Sequence, residues 1–261
     1  MFNALLSQPL FNGLIFFYKL FGNLGWAIIF LTILIRLLMI PLTLPSLKAA
    51  SKLKEIAPEI ERLKKKYAND KQGFAKAQIE LYRKYGINPA SGCFPQIIQL
   101  VILVALYQAF ARVLQPDGNM AVKINEVLYP FLRLPAETVV NTRFFYLELT
   151  KPDVFRLSGF SFPLPGLFLL AAALVQFISS KMTQPAVKVA QKEAKETPNT
   201  QDDLAVAMQS QMLYLFPLMT IFIGFSFPSG LVLYWFIFSL FTAIQQYIFN
   251  KVSLTNGGKK A

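Results

Sequence analysis

Apolar residues run almost unbroken through five stretches of the chain, roughly 24–44, 93–113, 164–181, 211–227 and 230–250, and polar positions dominate between them. A helix needs about 17 to 25 apolar residues to cross the hydrocarbon of a bilayer, so each stretch predicts a span. The third and fourth lie near the lower limit, which favours a locally thinned membrane around them. Only "SFPSG" (226–230) separates the last two, so a tight turn joins them. Ahead of the first span, a helix opened by Pro9 would align Leu6, Leu10, Leu14, Phe17 and Phe21 on one stripe, with Gln8, Asn12 and Lys19 opposite. That is the pattern of an amphipathic helix lying in the membrane interface over 1–22. The marks of a signal peptide are lacking, since no Lys or Arg precedes Lys19 and Asn12 and Gly13 interrupt the apolar run; a weak signal anchor is the alternative.

The stretch 46–90 changes period. Leu53, Ile56, Ile60, Leu63 and Tyr67 follow steps of three and four, as do Phe74, Leu81, Tyr82 and Tyr85, which predicts two helices paired as a hairpin. "AND" (68–70) supplies the turn, Gly86 with Asn88-Pro89 ends the second arm, and Pro58 kinks or restarts the first. Glu61 with Lys65 and Glu80 with Lys84 add i,i+4 support of a few tenths of a kcal/mol each. The stretches 114–163 and 182–210 read as loops, the latter polar and broken by Pro185 and Pro198; a loose second hairpin is the alternative for it.

Charge orients these elements. Eleven Lys and Arg fall in 46–90 against five in 114–163, and Lys251, Lys259 and Lys260 follow the last span. By the positive-inside rule 46–90, 182–210 and the short basic tail 251–261 are cytoplasmic and the N-terminus is outside. The net charge of +12 is therefore mostly topological, and nucleic acid is not expected as a partner beyond a docking contact with ribosomal RNA. Composition agrees: 54% of residues are hydrophobic and 25 are Phe, as in a polytopic membrane protein. The chain has no His, so the commonest metal ligand and general base are missing, and the lone Cys93, read as a small core residue, excludes an internal disulfide. No phosphate loop, protease constellation or intramembrane carboxylate is present, so neither an enzyme nor a proton-coupled carrier is expected, and no cofactor or metal.

One charge stands inside a span. Arg36 sits in "FLTILIRLLMIPL" (30–42), and no Asp or Glu lies in any of the five spans. An arginine at mid-helix costs about 2.5–3.5 kcal/mol on insertion scales, which the surrounding Leu and Ile offset, yet the guanidinium still requires solvation. Neutral groups are available: Thr32 one turn earlier; Gln96, Gln99 and Tyr107 on the second span; Ala172, Ala173, Gln176, Ser179, Ser180 and Thr183 on the third; Trp235, Ser239, Thr242 and Gln246 on the fifth, with Tyr234, Phe238 and Gln245 beside them. One such stripe is ordinary glue between membrane helices. Several stripes and a charge together predict a wet, positive cavity that holds a polar or acidic ligand transiently. Three rivals remain: a binding module for acidic lipids, a channel or carrier for small anions, and a scaffold in which Arg36 packs against helix carbonyls.

Four stretches in order, "GWAIIFLTILIRLLMIPLTLPSLKAASKLKEIAPEIERLKKKY" (25–67), "LYRKYGINPASGCFPQIIQLVILVALY" (81–107), "LELTKPD" (147–153) and "FPSGLVLYW" (227–235), resemble the YidC family of membrane-protein insertases, which includes the mitochondrial oxidase-assembly and chloroplast thylakoid relatives. The resemblance covers about Gly25 to Asn250. It implies an all-α fold of five transmembrane helices over 23–250 enclosing a hydrophilic groove open to the cytoplasm and the lipid, with a cytoplasmic helical hairpin after the first span. It puts the groove arginine and its "R-x-x-x-x-P" context on Arg36 and Pro41, the substrate-contacting polar residue on Thr32, the third-span glutamine on Gln176 and the aromatic pair on Tyr234 and Trp235. The implied partners are nascent membrane proteins and the lipid bilayer, with the ribosome and the Sec translocon as further candidates. The implied location is the bacterial cytoplasmic (inner) membrane. Against the family's pattern, the sequence carries neither the large extracytoplasmic domain of many Gram-negative members nor the N-terminal lipoprotein cysteine common in Gram-positive ones. With the short stretch "KVSLTNGGKKA" after Asn250, ribosome docking through a long basic tail is not expected.

Overall fold

A computed structural model of the protein describes residues 7–68, 70–88, 94–113, 120–135, 137–156, 159, 163–183, 214–215 and 217–257. Cys93, Pro89, most of the 182–210 loop, the start of the fourth predicted span and the last four residues lie outside the described residues. The helices are α1 (Gln8–Phe21), α2 (Leu24–Glu55), α3 (Ala57–Lys66), α4 (Lys71–Lys84), α5 (Phe94–Val113), α6 (Met120–Asn125), α7 (Leu167–Thr183), α8 (217–224) and α9 (Ser229–Gly257). Two of them are long and apolar enough to cross a membrane, at Leu24–Leu53 and Ser229–Val252, and shorter apolar helices run over Ile98–Gln108 and Leu167–Met182. The chain divides into two compact units, one of Met1–Leu38, Ile98–Ser179 and Tyr214–Thr242, the other of Met39–Ile97, Ser180–Leu213 and Ala243–Ala261.

Helix α2 departs from the expected boundary. It continues through Pro41 and Pro45 and past 44 to Glu55 as one helix of 32 residues. Each proline removes an amide donor, and hydroxyls nearby bond backbone carbonyls, Thr43 to Ile40 (3.1 Å) and Ser46 to Thr43 (2.7 Å). The break falls at Ile56, after which α3 restarts with proline in its first turn, the position where a missing amide costs least. Asp70 caps α4 by accepting from the Gly73 amide at 2.9 Å. Buried Ile56, Leu81 and Ile87 form one apolar cluster with Leu53, Ile60, Leu63, Tyr82 and Tyr85 packed on it, which is the predicted hairpin.

Helix α1 forms where Pro9 predicted it, with Lys19 exposed on its polar side but the middle of that side turned inward. Phe11, Leu14, Ile15 and Tyr18 are buried, and Asn12, expected opposite the apolar stripe, is 2% exposed. The reason is a docking function. Asn12 donates to the Val127 carbonyl (3.1 Å) and accepts from the Tyr129 amide (2.7 Å), while Tyr18 accepts from the Asn141 amide (2.9 Å). One amide side chain thus satisfies backbone groups of a non-helical segment that otherwise could not be buried against a helix.

That segment, expected only as a loop, carries α6, a 3₁₀ turn at Pro130–Leu132 and two antiparallel two-residue ladders. They are β1 (Arg143–Phe144) with β2 (Leu147–Glu148), and β3 (Val154–Phe155) with β4 (Leu164–Pro165). The third predicted span accordingly begins at Leu167 rather than 164. Strands of two residues are too short to leave an alternating signature. Phe144 packs where only glycine fits: a Cβ on Gly25 would stand 2.2 Å from its ring. The next residue, Phe145, has φ 51°, the only positive φ at a non-glycine among the described residues. It is the first of the two residues that join β1 to β2, a position glycine usually takes. Holding a non-glycine residue there costs of order 1–3 kcal/mol.

Candidate functional site

The Arg36 side chain leaves α2 half-buried within the first unit. Its Nη2 donates to Thr242 Oγ1 at 2.7 Å, and its guanidinium carbon lies 4.4 Å from the Phe238 ring centroid and 5.1 Å from that of Phe241. Residues 238, 241 and 242 share a face of α9 because positions three and four apart are neighbours on a helix. Thr242 in turn donates to the Phe238 carbonyl (2.8 Å), which fixes its hydroxyl and leaves the oxygen lone pairs for the arginine. Ring faces attract a desolvated cation by about 0.5–2 kcal/mol each, so a hydroxyl and two rings offset part of the cost of a charge among apolar side chains.

A second set of predicted residues joins on. Gln99 of α5 donates to the Tyr234 hydroxyl at 2.8 Å; Tyr234 is 2% exposed, and its ring lies 6.2 Å from Phe238, the ring under Arg36. Arg36, Phe238, Tyr234 and Gln99 therefore form a chain of contacts across α2, α9 and α5. On α7, Gln176 is buried and accepts from Thr220 of α8. Thr32 is buried too, with its hydroxyl donated to the Ile28 carbonyl of its own helix at 2.6 Å. Trp235 is half-buried on α9, and the side chain of Gln96 lies outside the described residues. Phe238 and Phe241 were not singled out as partners of Arg36 from sequence. Their spacing with Thr242 was the signal available.

A different cluster organises the helix starts. Asp153, 4% exposed, accepts from the Leu169 amide at 2.9 Å, and the Tyr146 hydroxyl accepts from the Phe168 amide at 2.7 Å while donating to Asp153 at 3.2 Å. Two of the orphan donors in the first turn of α7 are thereby satisfied, one of them by a carboxylate that also suits the helix dipole. Burial pushes the Tyr146 phenol above its ordinary value; the Phe168 amide opposes this and the Asp153 charge adds to it. Gly166 is required by close approach, since a Cβ there would lie 1.9 Å from Asp153 Oδ1. At the start of α9 the amides of Ser229 and Gly230 donate to the carbonyls of Lys151 (2.8 Å) and Leu149 (3.1 Å), and Ser229 Oγ donates to the Glu148 carbonyl (3.0 Å). "LELTKPD" and "FPSG", far apart in sequence, thus meet. Among the described residues no group of three or more His, Cys, Asp or Glu is gathered that would hold a metal.

A family model described as 60Kd inner membrane protein matches residues 16–256. A membrane protein insertase YidC of Fusobacterium nucleatum is 34% identical over 233 residues, which are 89% of either chain. One of Pelobacter propionicus is 33% identical over 95% of this chain but only 39% of its own length, and the relative from Wolinella succinogenes is matched over 38% of its length. The chain therefore spans about two fifths of the length of several relatives that it matches. A solved structure titled as an active YidC insertase with its first transmembrane domain resolved shares the fold at a TM-score of 0.50 and 24% identity, over 92% of this chain and 45% of that one.

Proposed function

From the premise that the chain belongs to the 60Kd inner membrane protein (YidC) family, we propose that it inserts small membrane proteins into the lipid bilayer of the bacterial inner membrane, alone or with the Sec translocon. In this reading five helices cross the membrane, with the N-terminus outside and 46–90, 182–210 and the C-terminus in the cytoplasm. Arg36, Gln96, Gln99 and Trp235 line a hydrated groove that meets the incoming chain, with the buried Thr32, Gln176 and Tyr234 in its wall, and the cytoplasmic hairpin receives the chain from the ribosome. The observation that carries the reading is the half-buried guanidinium of Arg36, seated between Thr242 and two ring faces on a helix of membrane-spanning length.

The physical work is a lowering of two costs. A polar or acidic end of a substrate entering the bilayer loses hydration, and a nearby cation in a medium of raised dielectric returns part of that loss. The substrate's apolar segment then partitions into lipid, driven by burial of about 25 cal/mol per Å². The third and fourth apolar stretches, short for a full bilayer, favour thinning and shorten the path. No covalent step is required, and the membrane potential adds to partitioning.

The test is in vitro insertion into proteoliposomes of small substrates with acidic or neutral translocated ends. Arg36→Ala is expected to lower insertion of the acidic substrates about tenfold, the rate equivalent of roughly 1.4 kcal/mol, and to leave the neutral ones nearly unchanged. Arg36→Lys keeps the charge without the fork and falls between. Equal insertion of both substrate types by all three proteins overturns the electrostatic role. Loss of thermal stability in Arg36→Ala with insertion intact assigns Arg36 to packing instead.

A further inference from the structure

The β1–β2 turn is unused by the proposed function and carries a costly residue in the open. Phe145 has φ 51° and is 86% exposed, so neither backbone preference nor burial against the protein explains an aromatic there. Its neighbours lead to the first membrane-length helix. Phe144 meets Trp26 edge to face at 5.6 Å, Trp26 lies 6.4 Å from Phe30, and Phe30 stacks on Phe21 at 4.3 Å. Trp26, Phe30, Leu34 and Leu38 recur every four residues on α2 and all are exposed, and the buried Phe144 ring joins that apolar face to Phe145, 4.7 Å away, in the turn. Trp26 stands in the first turn of that helix, where a tryptophan sits at the headgroup level of a bilayer, and phenylalanine beside it suits the boundary between headgroups and acyl chains. The base of the turn is tied to the same place: Asn23 Nδ2 donates to the Arg143 carbonyl at 2.7 Å and the Leu24 amide to the Asn141 carbonyl at 3.0 Å. The depth of the turn is therefore set by where α2 begins. Arg143 adds a guanidinium 87% exposed, 3.9 Å from Glu148 and next to the aromatic pair.

We infer that this turn is a lipid foot: Phe145 enters the boundary between headgroups and acyl chains of the leaflet in which α2 starts, and Arg143 faces a lipid phosphate beside it. The inference rests on α2 spanning the bilayer as in the proposed function. Continuity with the outward face of that helix is what selects lipid over a second copy or a passing substrate.

The test uses the full chain with Cys93→Ser, carrying Phe145→Cys, Glu137→Cys or Leu34→Cys with an environment-sensitive fluorophore. Each variant is reconstituted in vesicles of phosphatidylethanolamine and phosphatidylglycerol. The probe at 145 is expected to be quenched about twofold more by a lipid spin-labelled high on its acyl chain than by aqueous iodide, matching an interfacial depth of roughly 5–10 Å. The probe at exposed Glu137 gives the reverse order, and that at Leu34 responds to a lipid labelled deep in the acyl chain. A probe at 145 that behaves like the one at 137 overturns the foot. So does lipid shielding at 145 that disappears when protein is diluted into excess lipid, which assigns the turn to a contact between copies. Failure of lipid quenching at Leu34 removes the span itself, and both readings fall together.

Discussion

The α3–α4 hairpin and the segment 141–153 are held by different kinds of contact. The hairpin is a local construction: Ile56, Leu81 and Ile87 bury one apolar seam, Asp70 caps the second arm, and Tyr85 donates its hydroxyl to Glu59 across the pair. Its partners lie within about one hairpin of each other in sequence. Segment 141–153 is built from distant partners: Tyr18 on the Asn141 amide, Asp153 and Tyr146 on the start of α7, and Leu149 and Lys151 carbonyls on the start of α9. The first kind of region tolerates local damage because its energy is spread over apolar area. The second concentrates it in a few buried polar groups, each of which costs the full desolvation penalty when orphaned.

Asp153→Ala should therefore do the greatest damage. It strips the α7 start of its carboxylate acceptor, for an expected loss of about 3 kcal/mol, read as a drop of several degrees in thermal unfolding in detergent; Asp153→Asn, which keeps an acceptor, should lose much less. Leu81→Ala should cost about 2 kcal/mol, and only locally, because the seam is small and partly open. Hydrogen exchange is the readout: amides of α3 and α4 exchange faster while those at the starts of α7 and α9 keep their protection. A shared loss of protection in both regions would erase the contrast. Tyr85 gives the smallest effect. Its hydrogen bond to Glu59, followed by burial and the carboxylate charge, raises the phenol above 10.0. A proton held more tightly in the folded state stabilises it fully below the ordinary value and is lost as pH climbs through the raised one. Tyr85→Phe should remove one late-ionising phenol from the phenolate absorbance titration and flatten the alkaline loss of hairpin stability.

How much could be read beforehand follows the same division. The hairpin was legible because spacing, a proline at a helix start and an Asp at a turn are local signals, and Pro58 and Asp70 act as their positions dictate. Arg36 was legible as a charge needing neutral company, and Thr242 lay on the stripe of the fifth span that could supply it. Its rings, Phe238 and Phe241, were hidden among 25 phenylalanines that periodicity cannot rank. Asn12 was misjudged because polarity on a helix face reads as solvent, whereas this amide is turned onto the Val127 carbonyl and the Tyr129 amide. The caps made by Tyr146 and Asp153 were illegible for a related reason: a carboxylate in a loop carries no mark of the helix, fourteen residues on, whose start it holds.

The stretch from Leu149 to Asp153 works as a ruler. Its carbonyls grip one helix at the near end and its carboxylate grips another at the far end, so the number of residues between them is the separation of the two grips. Swapping side chains there leaves that gauge intact, but adding or deleting a single residue would force one helix to slide or let go. Length in this stretch is thus far less free to drift than composition, the opposite of what holds for ordinary surface connections.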